Sequence, residues 1–331
     1  LDRLFLAIAF IPLCPMLFLP EESRRWRICC TLFLAGMVLL FLVNQHRFQP
    51  WAWQFLLIAL ASLWFSPRHV AFWWRWLAIS LYFFSAFSKF DLAFADELGL
   101  LFLKTAAAFL HLDVTTWPIV WRQTAALSFP AWELLAAIFL CFPRTRVLGM
   151  TMASIMHAML LLILGPWGLN HHAGVLIWNF FFICQAGLLF WPCRYQGPSC
   201  PLILPQNHSP RKLVTRLPAG LFSIILLLPV LELFGLYDHW PAWGLYASRI
   251  ERVALWIPRA DRAKFPPTLQ THLAEIPDEP EWLRLKLDRW SLDALHAPIY
   301  PQARFQIGVS AAVIERFQLR DNFRLQLDSP A

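Results

Sequence analysis

Residues 133–168, ELLAAIFLCFPRTRVLGMTMASIMHAMLLLILGPWG, decide the fold. Two apolar runs, 127–142 and 147–164, flank the four-residue turn PRTR at 143–146. Each run comes close to the roughly 20 residues that cross a hydrocarbon core as a helix. Neither has the polar face that a helix on a water-soluble core must present. Apart from the Cys141 thiol, Glu133 and His157 are the only ionisable side chains in the two runs, and Pro143 and Pro166 lie just past their ends, where helices tolerate proline. The stretch therefore reads as a membrane hairpin with a basic turn.

The whole chain follows suit. Of its 331 residues 58% are hydrophobic and only 15% charged, against about 25% charged in an ordinary soluble domain. A formal net charge of +7 would suggest nucleic acid in a soluble protein. Here most arginines sit in short loops between apolar runs, so topology accounts for the charge and no nucleic-acid partner is expected. Apolar runs fall at 4–19, 28–43, 51–65, 70–88, 127–142, 147–164, 173–191 and 217–236. The expected fold is an all-α polytopic membrane bundle of about eight helices, some short, over residues 1–236. The chain opens on Leu1, and no small-x-small cleavage pattern follows 4–19, so that run is read as a short or truncated membrane helix rather than a signal peptide.

Loops alternate in charge. EESRRWR (21–27), SPRHVAFWWR (66–75), PRTR (143–146) and the 192–216 loop hold most of the loop cations, whereas NQHRFQP (44–50) and GPWGLNHH (165–172) hold one arginine and several histidines. By the positive-inside rule the first set is cytoplasmic, which puts 89–126 and the tail outside a cytoplasmic membrane. The sequon NHS at 207–209 then falls on the wrong side for glycosylation. Residues 92–112 are amphipathic but carry Asp96, Glu97 and Lys104, which suits a helix at the outer interface or dipping into the bundle. From 237 to 331 polar and apolar residues mix. RVALWIP and NFRLQL read as strands and PQARFQIGVSAAVIERF as a helix, giving a small extracytoplasmic α+β unit. Seven cysteines include no C-x-x-C pair and are expected to be free thiols, and no metal site is expected.

An ionisable side chain at a bilayer centre costs about 2.5–3.5 kcal/mol on insertion scales, so each needs a reason. Lys89 ends the run that contains YFFSAFSKFD (82–91), with Tyr82 and Ser85 on its helix face. It can snorkel to headgroups, or turn inward to Asp91 or Glu133. Glu133, about two turns inside its run, must be paired or protonated. His157 is either a structural hydrogen bond or a proton carrier. Asn179 and Trp178, in WNFFF, and His171 and His172, in the preceding loop, are further candidates for ligand contact; Glu232 reads as interfacial. With Lys89, Glu133 and His157 as the reactive set, these groups are expected to converge on one pocket in the outer half of the membrane, with His157 near the middle. No phosphate loop, nucleophile elbow, zinc-protease or dinucleotide motif is present.

The stretches YFFSAFSKFD, ELLAAIFLCFPRTRVLGMTMASIMHAMLLLILGPWG and WNFFF resemble the DoxX/MauE-like membrane proteins and the related HTTM domain, the membrane part of vitamin K-dependent γ-glutamyl carboxylase. The likeness covers roughly 70–192. The DoxX/MauE resemblance implies a membrane accessory of redox systems, holding a lipophilic, quinone-like ligand and working with membrane lipid and an extracytoplasmic protein partner. The HTTM resemblance implies instead an enzyme in which Lys89, in Lys89-Phe90-Asp91, acts as a base. The large lumenal domain of the carboxylase has only a 95-residue counterpart here. A transporter is a third reading.

Overall fold

The computed structural model describes residues 2–21, 23–191, 212–246, 250–319 and 322–328. The sequon at 207–209, Cys193, Cys200 and most of the 192–216 loop lie outside the described residues. What is described is mostly helical, with a small antiparallel sheet near the C-terminus. Two compact units are present: Leu1–Tyr237 with Pro241–Ser248, and Asp238–Trp240 with Arg249–Ala331.

The first unit contains α1 (Asp2–Phe10), α2 (Leu13–Met16), α3 (Arg24–Val43), α4 (Pro50–Trp64), α5 (Pro67–Phe87), α6 (Leu92–Asp96), α7 (Leu98–Ala108), α8 (Ile119–Cys141), α9 (Arg146–Leu164), α10 (Ala173–Phe190) and α11 (Lys212–Leu227), the last tightening into a 3-10 segment, Leu228–Phe234. Local chemistry sets the starts. The Ser23 hydroxyl accepts the Trp26 N–H at 3.1 Å and caps α3. Pro50 and Pro67 open α4 and α5, where a missing N–H costs nothing.

Among the described residues six helices are long and apolar enough to cross a membrane: Arg24–Val43, His69–Phe87, Ile119–Cys141, Arg146–Leu164, Ala173–Phe190 and Arg216–Phe234. Two of the eight expected runs differ. The 51–65 run forms α4, only 15 residues long. The 4–19 run is broken between α1 and α2 around Pro12 and Pro15, because proline removes a helix donor and clashes with the preceding turn. The broken segment still lies antiparallel along α3. Asp2 takes a bidentate ion pair from Arg47, both bonds at 2.6 Å, and Ala9 is pressed so close to Gly36 that a Cβ there would sit 2.5 Å from the Ala9 nitrogen.

The helix expected from 127 begins at Ile119 instead. Its first turns continue through Arg122 and Gln123, and Gln123 donates to Asp96 at 3.0 Å. The amphipathic stretch 92–112 splits into α6 and α7. Asp91 accepts the Phe94 N–H at 2.6 Å and caps α6. Phe102 of α7 meets Phe129 of α8 edge-on at 6.3 Å and joins Ile163 and Leu164 at the end of α9. The α6–α7 segment therefore packs against the first half of α8.

Small residues bring α8 and α9 together. A Cβ on Gly149 would lie 2.7 Å from the Leu140 nitrogen and 3.0 Å from the Ala136 carbonyl oxygen. Close backbone approach of this kind lets helices gain packing where lipid-like surroundings give no hydrophobic drive.

The second unit holds β1 (Arg252–Pro258), α12 (Pro267–Gln270), β2 (Leu273–Glu275), β3 (Trp282–Leu285), α13 (Leu287–Leu295), α14 (Ala303–Arg316) and β4 (Arg324–Asp328). The strand order is β2-β3-β1-β4, antiparallel throughout. Leu255 faces Leu285 on one neighbour and Leu325 on the other. Leu255, Ile257, Leu283 and Leu285 form the core with Val313 of α14. The stretch PPTLQTHLAEI, which reads as helical in the sequence, gives one helical turn and then β2. Asp238 is tied to this unit by the Tyr300 hydroxyl at 2.7 Å and by Arg304.

Gly149→Val is expected to destabilise the detergent-solubilised protein by about 1–3 kcal/mol through overpacking at the α8–α9 contact. Gly187→Ala, with nothing within 4 Å of the new Cβ, is expected to be neutral or stabilising by up to about 1 kcal/mol. Chemical or thermal unfolding of the two variants checks the pair; equal losses would refute the close-approach account.

Candidate functional site

Four helices bring the site together. On α5, Tyr82 and Ser85 share one face, and Lys89, two residues past the helix end, continues the same line at i+7. On α8, Glu133 shares its buried face with Ala126, Pro130, Ala136, Ala137 and Leu140. On α9, His157 lies two turns beyond Gly149 on the buried stripe through Ala153. On α10, Asn179, Phe182, Gln185, Ala186 and Leu189 make the buried stripe.

Lys89 turns inward. It is 9% exposed, and its Nζ donates to Glu133 Oε2 at 2.8 Å and to Ser85 Oγ at 2.7 Å. Snorkelling is ruled out by that burial. The chain around it explains the geometry. Ser88 closes α5, the Lys89 N–H bonds back to the Ala86 carbonyl at 3.0 Å, and Asp91 then caps α6. Asp91 is thus a helix cap, and Glu133 is the lysine's carboxylate partner.

A second chain of hydrogen bonds runs beside the ion pair, and its proton direction follows from its anchor. Asn179 Nδ2 donates to the Val175 carbonyl at 2.9 Å. A carbonyl can only accept, so the Asn179 amide oxygen must face His157 Nδ1, 2.8 Å away. That oxygen needs a donor, so Nδ1 carries the proton. In the neutral imidazole Nε2 is then an acceptor, and the Tyr82 hydroxyl donates to it at 3.1 Å. Phe182 stacks on the imidazole at 4.6 Å and 9° between planes, which holds both ring nitrogens in line with their partners. Glu133 lies within electrostatic reach of Tyr82, and Lys89 of His157, so the two groups form one field.

Trp178 leads into a third set. Its indole N–H donates to Gln54 Oε1 at 2.7 Å, and Gln54 Nε2 donates to Gln185 Oε1 at 3.2 Å. Gln54 is fully buried and Gln185 nearly so. Neither amide was singled out from the sequence. The signal was there, a glutamine in each of two apolar helices, but a neutral amide costs less to bury than a charge and draws less attention. Phe182 gave no signal among 29 phenylalanines.

The position of Glu133 along its helix differs from expectation. Glu133 lies 14 residues into α8 and 8 from its end, about 21 Å and 12 Å at 1.5 Å per residue. It is therefore nearer the basic turn at 143–146 than the far end, not two turns inside an outer end. Arg75 Nε donates to the Leu189 carbonyl at 2.6 Å, which levels those positions of α5 and α10. Tyr82 and Asn179 then lie about 10 Å and 15 Å farther along. Tyr82 is 5 residues from the end of α5, His157 7 from the end of α9 and Asn179 6 from the start of α10, about 8, 10 and 9 Å, so these three sit toward the end of the bundle opposite the basic turn. His171 and His172 are elsewhere: His171 is half-buried in the loop, its N–H on the Leu164 carbonyl, and His172 is exposed just before α10. Asn179 is about 10 Å along α10 from His172. Burial, and to a lesser degree the neighbouring His172, holds the His171 imidazole below its ordinary range. Glu232 is half-buried in the 3-10 segment after α11. Among the described residues no cluster of three or more His, Cys, Asp or Glu could hold a metal.

Comparison with family models, with curated proteins and with solved structures finds no match to this chain.

Removing one partner of the ion pair is expected to cost about 3–5 kcal/mol, while a matched apolar pair costs much less or nothing. Unfolding of Glu133→Leu, Lys89→Met and the double variant measures this; additive losses in the double variant would mean that the two groups do not act as a pair. Nitrogen-15 NMR of labelled histidine is expected to show His157 protonated on Nδ1 and bare on Nε2, with that tautomer lost in Asn179→Leu.

Proposed function

We propose that the chain is a multi-pass protein of the cytoplasmic membrane, with its C-terminal unit on the extracytoplasmic side. Its bundle holds a lipophilic ligand of the quinone class as an accessory to a redox system. The observation that carries this reading is the Tyr82–His157–Asn179 chain, with its fixed proton direction, set against the Lys89–Glu133 pair. A quinone presents two carbonyl oxygens that accept hydrogen bonds and an apolar ring that stacks on aromatics. The cluster offers the third N–H of the Lys89 ammonium, a phenol that reaches a quinone by turning from His157, and the aromatic rings of Phe182 and Trp178.

Reduction of a quinone to a quinol takes two electrons and two protons. A partner redox protein outside the membrane supplies the electrons in this reading, and the buried chain exchanges protons through Tyr82 and His157. The burial of the cluster among apolar helices suits a ligand that diffuses within the hydrocarbon. The carboxylase-like alternative draws less support. As an ammonium Lys89 already donates to two acceptors 2.7 and 2.8 Å away, a poor starting point for a base.

Protein purified in mild detergent is expected to carry co-extracted quinone, and to bind a short-chain quinone saturably. Tyr82→Phe removes one hydroxyl and keeps the ring, so binding is expected to weaken about two- to tenfold, the worth of one hydrogen bond. Chromatography of solvent extracts and titration with the short-chain analogue check this. Absence of both bound quinone and saturable binding would overturn the assignment.

A further inference from the structure

The turn joining α7 to α8 carries a depression that the buried cluster does not use. Its volume is about 350 Å³, and Lys104, His111, Leu112, Asp113 and Thr115 line it. The local sequence builds it. His111 takes a left-handed backbone, φ 56°, and turns the chain sharply after α7. Asp113 Oδ1 then accepts from both the Thr115 N–H at 2.9 Å and the Thr115 hydroxyl at 2.6 Å. Those two bonds, and to a smaller extent the charge of Lys104, hold the Asp113 carboxyl below the ordinary carboxylate range. A fixed anion and a cation thus face one depression, near enough to sense each other, with no ion pair closed between them.

The surroundings are apolar. Phe109, Leu110 and Leu112 are exposed on one side of the turn, and Ile119, Val120 and Trp121 on the other, with Leu110 70% and Trp121 69% accessible. The feature stands at the end of the bundle where Phe102 meets the last turn of α9, away from the basic turn at 143–146.

We propose that this depression binds the headgroup of phosphatidylethanolamine, an inference that rests on the membrane reading above but not on the quinone. The phosphate lies on Lys104 and His111, the primary ammonium on Asp113, and the acyl chains run over Leu110 and Leu112. Opposite charges in one small depression match a zwitterion. A purely anionic headgroup would meet the Asp113 carboxylate. A choline headgroup has no N–H to give that carboxylate, and its trimethylammonium is recognised by aromatic faces, which do not line the depression. The apolar rim selects a lipid over a soluble phosphate.

The full chain in nanodiscs of phosphatidylcholine mixed with equal parts of phosphatidylethanolamine and phosphatidylglycerol, followed by native mass spectrometry of retained lipid, tests this. Phosphatidylethanolamine is expected to be retained in preference to both others. Lys104→Gln and Asp113→Asn are each expected to cut that preference roughly tenfold, the worth of one charge-assisted hydrogen bond. The asparagine keeps an oxygen for Thr115, so the turn survives. Equal or stronger retention of phosphatidylglycerol by the wild type, or an unchanged preference in both variants, overturns the proposal. Carbonate extraction of membranes tests the membrane reading separately, and quinone titration of the same variants is expected to be unaffected.

Discussion

A buried ammonium–carboxylate pair fixes how α5 meets α8. Lys89 lies two residues past the end of α5, while Glu133 lies in the second half of α8. Drawing the two within 2.8 Å forces the end of α5 to abut the interior of its neighbour. The first half of α8 is then left uncovered by α5, and α6 and α7 pack there instead. The turn Ser88-Lys89-Phe90 and the Asp91 cap follow from the same constraint, since the chain must leave α5 at once to reach that space. A charge in an apolar bundle is so costly unpaired that the pair specifies one register of α5 against α8.

The hydrogen-bond chain beside it carries a different kind of information. Every proton position in it descends from one backbone carbonyl, that of Val175, which can only accept. Asn179 transmits the choice to His157, and His157 to Tyr82. The ring stack with Phe182 removes the freedom of the imidazole to rotate away. The Trp178–Gln54–Gln185 set is oriented likewise by an indole nitrogen that can only donate. It ties α4 to α10 with neutral groups that titrate over no ordinary pH range. Charged and neutral networks thus divide the work: the amides hold helices together, and the ion pair with the Tyr–His couple provides groups able to exchange protons.

Much of this arrangement was legible in the sequence because burying a charge is expensive. Lys89, Glu133 and His157 stood out as the few ionisable groups in apolar runs, and a shared face with Lys89 pointed to Tyr82 and Ser85. What the sequence could not convey was where each helix begins. Arg122, Gln123 and Thr124 look like a loop by polarity, yet helix α8 runs through them, and this places Glu133 farther along its helix than a start at 127 would. Asp91 looked like a counter-ion because it is two residues from Lys89, whereas its carboxylate serves the next helix as a cap. His171 and His172 drew notice as a pair, but adjacent residues at a helix start point apart, and neither belongs to the buried chain. In the first run the two prolines were visible, but not that the broken helix would still track α3, which depends on Gly36 admitting Ala9.

The distribution of burial indicates which part of the bundle matters for the site. The segment Arg216–Phe234 buries only 11% of its apolar window, against 44% for α5, and it is tied to α5 by the Ser80 hydroxyl on the Leu226 carbonyl at 2.9 Å and by Phe222 edge-on to Trp73 at 5.4 Å. No side chain of the buried cluster comes from it, nor from α1, α2 or α3. The chemistry resides on α5, α8, α9 and α10, with Gln54 of α4 as a brace. Within that set the tight α8–α9 contact at Gly149 excludes bulk from the interior. Excluding water in turn lowers the effective dielectric and strengthens each interaction of the ion pair and the Tyr–His couple. Small residues in the helix seam and charged residues in the core are therefore two halves of one requirement, since a loosely packed seam would hydrate the pair and dissolve the geometry that sets its register.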